Sequence, residues 1–288
     1  MQAERVAVVT GSSTGNGFET SLLLAKNGFY TYATMRNLDK STRIKEIARK
    51  DSMLLEVLPL DVTDDKSVAD AIEMISNRHR RIDVLVNNAG YDMHGAVEDL
   101  SIDEVKTQFE TNFFGAVRLM KAVLPMMRKQ RSGIIVNVSS IGGRIGVPLN
   151  SAYTGSKFAL EGFSESMKYE LEGFGIKVIL IEPGAVKTNF LENLKQGQQA
   201  MNPDSPYAEL SRKVSEGVRE SFKQASSSSP VQVAEVILNA IKSENPNTRY
   251  LVGNDAAAIM ERRKKSSDFE FERWMKESLL DQKGFLRS

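Results

Sequence analysis

Short apolar runs alternate with segments of helical length along this 288-residue chain as far as residue 181. The runs are rich in β-branched residues and apolar on both faces, which is typical of strands that helices cover on both sides. Because parallel strands need helix-length crossovers, we predict an α/β fold with one Rossmann-type doubly wound parallel sheet of about seven strands. Pro125 is expected to disturb the end of the third helix. The predicted strands are 5–9, 30–34, 54–60, 84–87, 133–138 and 177–181, and the predicted helices are 15–27, 64–77, 102–128 and 151–173.

The alternation ends after Pro183-Gly184, where a long polar segment begins. Residues 190–230 are rich in Gln, Ser, Lys and Glu. A segment of this length beside the carboxyl edge of a sheet is typical of a substrate lid. A helix over residues 232–242 and a last strand at residues 250–252 are expected to complete the sheet.

The charged tail, residues 256–288, predicts a C-terminal helical extension, and no obvious linker divides the chain, so one domain over residues 1–288 is expected. The 38 Lys and Arg residues nearly balance the 37 Asp and Glu residues, which favours a small molecule over nucleic acid as the partner. With no cysteine and only His79 and His94, a bound metal is not expected. No apolar run approaches the roughly 18 residues of a membrane span, so we expect a cytoplasmic protein.

A glycine-rich turn, Thr10-Gly-Ser-Ser-Thr-Gly-Asn-Gly17, follows the first predicted strand and opens the first helix. Gly11 allows the tight turn, Gly15 lets a backbone approach a pyrophosphate, and Gly17 permits close packing of the helix start. The positive N-terminus of the helix can then hold phosphate, although a plain helix start would use the same glycines. The other candidate contacts of a dinucleotide in this segment are Ser13, Thr14, Asn16 and Phe18.

The end of the second strand distinguishes between the two nicotinamide dinucleotides. An acidic residue there would bond the ribose 2′-hydroxyl of NAD(H) and repel a 2′-phosphate. The segment Tyr32-Ala-Thr-Met-Arg-Asn37 has no carboxylate, and Arg36 can form charge-assisted hydrogen bonds to a phosphate, unless it only faces solvent. NADP(H) is therefore expected over NAD(H).

Two further segments follow predicted strands at the same edge of the sheet. Asp61 is placed to accept a hydrogen bond from the adenine amino group, although it could instead cap the next helix. The segment Asn87-Asn-Ala-Gly90 supplies small residues and amide groups where a backbone must run near the ribose, and the alternative is an ordinary turn. The candidate cofactor contacts here are Asp61, Val62, Asn88, Ala89 and Gly90.

Tyr153 and Lys157 are four residues apart in a predicted helix, so their side chains share one face, although this spacing also occurs in ordinary surface pairs. An ammonium at about 4 Å would lower the pKa of a phenol by about 3 units at an effective dielectric of about 20. The phenol would then be suited to acid–base transfer near the working pH. Ser140, after the fifth strand, can donate a hydrogen bond to a substrate oxygen, and Asn112 could hold a water that links Lys157 to solvent.

Together these motifs resemble the short-chain dehydrogenase/reductase family over residues 5–190. The matching motifs are Thr10-Gly-x3-Gly-x-Gly17, Asn87-Asn-Ala-Gly90, Asn112, Ser140, Tyr153-x3-Lys157 and Pro183-Gly-x3-Thr188. The resemblance implies that Tyr153 is the general acid/base, that Ser140 positions the carbonyl and that Lys157 also binds the nicotinamide ribose. It implies that Asn112 completes the catalytic set, and that the segment containing Pro183, Gly184, Val186 and Thr188 contacts the nicotinamide.

Within this family, the segments 140–150 and 156–162 resemble the branch of 17β-hydroxysteroid and retinol dehydrogenases, which implies an apolar ketone or secondary alcohol. Asn16 and Phe18 depart from the aliphatic residues that are usual beside the cofactor. Two alternatives remain open: a 3-oxoacyl thioester reductase of the same family, with Arg128, Lys129 and Arg131 as candidate carrier contacts, and a catalytically silent NADP-binding sensor. The resemblance also implies a homodimer or homotetramer.

Overall fold

Seven parallel strands form the main sheet of the protein, in a computed structural model that describes residues 4–187, 195–224 and 227–280. The first strands along the chain are β1 (Arg5–Val9), β2 (Phe29–Met35), β3 (Leu55–Pro59) and β4 (Val84–Asn87), followed by the short strand β5 (Met93–His94). The others are β6 (Gly133–Val138), β7 (Ile176–Pro183), the short strand β8 (Lys195–Gln196) and β9 (Arg249–Val252). The order β3-β2-β1-β4-β6-β7-β9 confirms the predicted doubly wound sheet, and β5 pairs with β8 separately.

Helices cover both faces of the sheet. The helices are α1 (Gly15–Lys26), α2 (Thr42–Lys50), α3 (Asp65–His79), α4 (Ile102–Phe109), α5 (Gly115–Gln130), α6 (Ser151–Glu172), α7 (Ala208–Gln224), α8 (Pro230–Lys242), α9 (Asn254–Lys265) and α10 (Asp268–Leu280). Val6 and Val8 of β1 face the core formed with α3, α5 and α6. Ala7 and Val9 face the opposite core, which includes α1 and α8. The alternation of side chains along one strand thus supplies both cores.

The structure corrects two details of the predicted helices. The prediction omits α2, a short charged helix in which Ile44 and Ala48 are buried and contact the sheet side. The predicted helix 102–128 is divided by a π turn, Glu110–Phe114, and continues past Pro125 to Gln130. A missing backbone donor at Pro125 therefore does not end α5.

The predicted lid and tail contact the loops at the carboxyl edge of the sheet. Strand β8 pairs in parallel with β5, and Ser205 donates a hydrogen bond to Asp99 at 2.9 Å. The tail forms two helices, and Ile259 of α9 and Trp274 of α10 pack with Ile145, which follows Ser140. Residues 188–194 and 225–226, which include residues 190–194 of the predicted lid, and residues 281–288 of the tail lie outside the described residues. Within the described ranges, no helix has both the length and the apolar character that crossing a membrane requires.

The turn between β1 and α1 is packed too closely for side chains at two of its glycines. Gly11 has a φ of +68°, and a Cβ placed there would lie 2.8 Å from the Cα of Ala89. A Cβ on Gly17 would meet the Nδ2 of Asn88 and the carbonyl of Gly11. Backbone atoms cannot move away as freely as a flexible side chain, so this turn excludes larger residues.

We expect Gly17→Ala to lower the free energy of unfolding by about 1–3 kcal/mol, because the added methyl overlaps the Gly11 carbonyl. Gly162 is the matched control: it lies inside α6 with open space around the position of its Cβ. Gly162→Ala should raise stability by about 0.5–1 kcal/mol through helix propensity alone. Urea unfolding of both variants measures the two effects, and equal stabilities would contradict the packing argument.

Candidate active site

The site lies where the strand order of the main sheet reverses, between β1 and β4. Crevices for ligands form at such a point, outside the carboxyl ends of the strands. The two turns that follow these strands are hydrogen bonded to each other. The Oγ1 of Thr10 accepts from the backbone N–H groups of Asn88 and Ala89, both at 3.0 Å. The Nδ2 of Asn88 donates to the carbonyls of Thr10 at 2.9 Å and Gly11 at 3.2 Å. The side chain of Asn88 therefore stabilises the predicted cofactor turn through its backbone carbonyls.

The N-terminus of α1 is free to bind an anion. Thr14 occupies the N-cap position in an extended conformation, but its side chain makes no capping hydrogen bond. The first turn contains no acidic residue, and the φ of Gly15 is +61°. The Oδ1 of Asn16 is buried and has no hydrogen-bond partner among the described residues. Unpaired backbone N–H groups and the helix dipole favour phosphate here, so these residues fit a dinucleotide.

Phe18 and Ser13 take different positions around this turn. The side chain of Phe18 is buried against Ala33, Met35 and Ile44, so it belongs to the core between α1, β2 and α2. Ser13 is half-buried in the turn itself. The departure from an aliphatic residue at Phe18 is thus accommodated in the core.

Arg36 comes directly after β2 and its side chain is exposed. Among the described residues it has no ion-pair partner, which leaves its guanidinium available to a ligand. Asp61 does not cap α3, because Asp64 does so by accepting from the backbone N–H groups of Lys66 and Ser67. The Oδ1 of Asp61 instead accepts from Thr63, from its backbone N–H at 2.9 Å and from its hydroxyl at 2.8 Å. Val62, the next residue, is buried against the position of Gly115.

Ser140 and Tyr153 lie together around Gly142, at the carboxyl edge of the sheet. A Cβ on Gly142 would lie 3.2 Å from the Cε1 of Tyr153 and 3.4 Å from the Oγ of Ser140. The Oγ of Ser140 also accepts from the backbone N–H of Gly142 at 3.0 Å. Lys157 lies one turn further along α6, with its Nζ 5.7 Å from the centre of the Tyr153 ring. The structure therefore brings these three predicted residues into one group.

Asn112 lies in the π turn and is fully buried. Its Oδ1 accepts from the backbone N–H of Tyr91 at 3.1 Å, and its Nδ2 donates to the Tyr91 carbonyl at 2.9 Å. The Nδ2 is also 3.3 Å from the Oγ of Ser156. A Cβ on Gly90 would lie 3.2 Å from the Asn112 Oδ1 and 3.8 Å from the Lys157 Nζ. Asn112 therefore joins the loop after β4 to the helix that carries Tyr153.

Burial controls the protonation of the Tyr-Lys pair. It lowers the pKa of Lys157 to about 8, and the ammonium donates to the carbonyl of Val138 at 2.8 Å. Burial, followed by the charge of Asp92, raises the pKa of Tyr153 above its usual value, and the Ser140 hydroxyl lowers it in part. The sequence analysis predicts that Lys157 lowers the pKa of Tyr153, and for the free protein this prediction is wrong. The reason is that desolvation of a phenolate outweighs a cation that is turned towards Val138.

The loop after β7 is held by an acidic residue that the sequence analysis did not identify. Asp255, the second residue of α9, is 5% exposed, and its Oδ2 accepts from the backbone N–H of Ala185 at 2.6 Å. It also fills the space beside Gly184, where a Cβ would overlap its carboxylate. Pro183 ends β7, and Val186 forms a bridge with Ser228. Thr188 lies outside the described residues.

Two other groups of polar residues near the site were not predicted. Asp92 is 4% exposed and accepts from Asn150, and it pairs with His94. A buried network of charges surrounds Glu161, one turn after Lys157 on α6. Its ion pairs are Arg249–Glu161 at 3.0 Å, Arg249–Glu182 at 3.2 Å and Arg144–Glu182 at 2.9 Å. Spacing along the chain gives no signal for these contacts, except that Glu161 follows Lys157 by four residues.

Comparison with known proteins agrees with this geometry. The family model described as short chain dehydrogenase matches residues 5–199. Retinol dehydrogenase 8 of Bos taurus is 41% identical over 265 residues, which cover 86% of this chain and 83% of that protein. The structure of a short-chain dehydrogenase from Streptomyces avermitilis has a TM-score of 0.80 and 32% identity, covering 95% of this chain and 97% of that one. A structure of ElxO with NADP bound has a TM-score of 0.72 and 28% identity, covering 86% and 96%.

The matched region contains the turn after β1, the loop after β4 and the group of Ser140, Tyr153 and Lys157. Fold, site geometry and relatives therefore agree. The chain belongs to the short-chain dehydrogenase/reductase family and is an enzyme that acts on CH–OH or C=O groups.

Proposed function

We propose that the protein is an NADP(H)-dependent oxidoreductase that interconverts a ketone and a secondary alcohol, with Tyr153 as the general acid/base. The observation that carries this proposal is the grouping of Ser140 and Tyr153 around Gly142, with Lys157 one turn away. This group lies at the same edge of the sheet as the anion-binding N-terminus of α1. When bound, the nicotinamide supplies or accepts the hydride.

The roles of the residues follow from their donors and protonation states. Because the pKa of Tyr153 is raised, the phenol is protonated at neutral pH and can donate to a carbonyl oxygen. Ser140 has a hydroxyl beside the phenol and can hold the same oxygen. With a pKa of about 8, Lys157 is mostly protonated at neutral pH and can bind ribose hydroxyls. Asn112 positions the loop that leads to Gly90.

A preference for NADP(H) is supported by the end of β2. Arg36 is exposed and has no ion-pair partner within the described ranges, and the segment from Tyr32 to Asn37 has no acidic residue. A guanidinium there can form charge-assisted hydrogen bonds with a ribose 2′-phosphate. The bound NADP of ElxO, a protein of the same fold, is consistent with this preference.

An apolar substrate is supported by the side chains near Tyr153. Ala152, which precedes Tyr153, forms one apolar cluster with Met93 and Leu100, and Ile141 and Val147 of the loop between Ser140 and α6 belong to another. The similarity to a retinol dehydrogenase points in the same direction. The candidate carrier contacts do not support the alternative of a 3-oxoacyl thioester reductase. Arg128, Lys129 and Arg131 end α5 just before β6 begins, at the opposite edge of the sheet from Tyr153.

We expect Tyr153→Phe to lower ketone reduction by about 10²–10⁴-fold, because the general acid is lost while the ring keeps its packing. NADPH binding, measured by fluorescence, should change little. Tyr169→Phe is the matched control, since Tyr169 is on the same helix but 72% exposed. The reaction is followed by NADPH absorbance with a panel of steroidal, retinoid, aromatic and 3-oxoacyl carbonyls. Undiminished turnover in the Tyr153 variant would contradict the proposed role.

We expect Arg36→Glu to weaken NADPH binding by at least about tenfold while leaving NADH binding nearly unchanged, since charge-assisted bonds contribute about 1.5–3 kcal/mol. Lys50→Glu makes the same change of charge on an exposed residue at the far end of α2, and it should affect neither cofactor. Dissociation constants from fluorescence titration give the ratio directly. An unchanged NADPH/NADH ratio in the Arg36 variant would refute the phosphate contact.

We further propose a homo-oligomer formed through α5 and α6. Large apolar side chains are exposed on α6 and on the π turn that leads into α5: Phe114 is 46% exposed, Phe158 46%, Phe163 36% and Tyr169 72%. Phe158→Glu should shift the mass measured by light scattering from dimer or tetramer to monomer, because a charge in an apolar interface is costly. A wild-type protein that is already monomeric at micromolar concentration would overturn this proposal.

A further inference from the structure

Asp92 is a buried carboxylate in the loop between β4 and β5, and the catalytic scheme above does not use it. Its side chain is 6% exposed. One oxygen, Oδ2, accepts from the Nδ2 of Asn150 and pairs with the Nε2 of His94, both at 3.2 Å. The other oxygen, Oδ1, has no hydrogen-bond partner among the described residues. Burying a carboxylate with so few partners is unfavourable, which indicates a function that offsets the cost.

Asn150 connects this carboxylate to the helix that carries Tyr153. It is the N-cap residue of α6, but its side chain makes no capping hydrogen bond and donates to Asp92 instead. The first turn of α6 has no acidic residue of its own, and Tyr153 lies in that turn. The neighbouring backbone is joined as well, because the N–H of Gly95 donates to the carbonyl of Leu149 at 2.9 Å. Asp92 thus supplies, from another loop, the negative charge that a helix N-terminus favours.

We propose that Asp92 is a positioning residue for Tyr153: it anchors the start of α6 through Asn150 and places a negative charge near the first turn of α6, which carries the phenol, and so keeps the phenol in its proton-donating form. This proposal rests on the proposed function, in which Tyr153 is the acid/base. It predicts that the site is set for carbonyl reduction over the whole neutral range of pH.

The other charges around the phenol do not cancel this effect. Lys157 donates to the Val138 carbonyl, and Glu161, followed by Asp92 itself, partly offsets the lowering of the Lys157 pKa by burial. Charged and titratable groups from several elements surround Tyr153 and Asp92. Lys157 and Glu161 lie on α6, and His94 lies on β5. Lys195 on β8, Arg36 after β2 and Glu104 on α4 surround Tyr91, the residue before Asp92. Of these, His94 is in direct contact with Asp92, at 3.2 Å.

The sign of the effect follows from this arrangement. A negative charge near a phenol disfavours the phenolate, so the phenol stays protonated to higher pH. Reduction needs the protonated form and is lost as the pH rises through the Tyr153 pKa. Oxidation of the alcohol needs the phenolate and appears over the same range. The fall of the reduction rate and the rise of the oxidation rate are the two alkaline limbs of the pH profile. Removing the charge of Asp92 must therefore move both limbs to lower pH.

The test is Asp92→Asn, which keeps the shape and an acceptor oxygen for Asn150 while removing the charge. Rates are measured from pH 6 to the alkaline limit of stability, for the ketone of the panel that the wild type reduces fastest and for its alcohol with NADP⁺. A unit charge at about 10 Å and an effective dielectric of about 20 predicts that both limbs move down by about one pH unit. Asp92→Ser serves the same purpose if the Asn variant does not fold.

Two control variants separate charge from general damage. Asp99→Asn removes another buried carboxylate of the same region, one that accepts from Ser205, and the limbs should stay in place. His94→Asn should also leave the limbs in place, because it replaces a neighbour of Asp92 and keeps the charge of Asp92 itself. An active Asp92→Asn enzyme with wild-type limbs overturns this proposal alone. A wild type that is inert towards the panel, or an active Tyr153→Phe variant, overturns the proposed function beneath it.

Discussion

The hydrogen bonds between Thr10 and the Asn88-Ala89 backbone join the two turns on which the rest of the site depends. They lie at the reversal of strand order, where parallel strands leave an open crevice. Gly11 and Gly17 allow this contact because a Cβ at either position would overlap the facing segment. The close approach of the turns leaves the N-terminus of α1 uncapped and directed to the same edge as Tyr153. The uncapped start of α1 and the group of Ser140, Tyr153 and Lys157 therefore lie at one edge of the sheet.

Two groups of buried charge lie near Tyr153, one around Lys157 and Glu161 and one at Asp92. Lys157 has its pKa lowered by burial, and Glu161 partly restores its charge. Glu161 is itself paired with Arg249, which also contacts Glu182, so the acidic side of this network is compensated. Among the described residues, the side-chain partners of Asp92 are His94 and Asn150. Both groups are shielded from water, and in such surroundings the pairing of charges acts strongly on the protonation of a nearby phenol.

The parts of the chain outside the strand–helix repeat form the surroundings of the site. Strand β8 adds to β5 directly beside Asp92, and the hydroxyl of Ser205 binds Asp99. The helices α9 and α10 pack on Ile145, which belongs to the loop between Ser140 and α6. Asp255 at the start of α9 holds the backbone after β7. The segments 195–224 and 227–280 thus contact the loops that carry Asp92, Asp99 and Ser140.

Patterns between neighbours in the chain were sufficient for much of this protein. Alternating apolar runs predicted six strands of the main sheet, a last strand was expected near residue 250, and the motif spacings predicted the group of Ser140, Tyr153 and Lys157. Helix α2 was missed because it is short and mostly charged, and the π turn at Asn112 left no local signal. Only the tertiary structure decided three features: the protonation of Tyr153, the position of Asp92 and the contact of Asp255 with Gly184. Periodicity and motif spacing are properties of the chain itself, whereas desolvation and Coulomb interactions depend on which distant residues folding brings together.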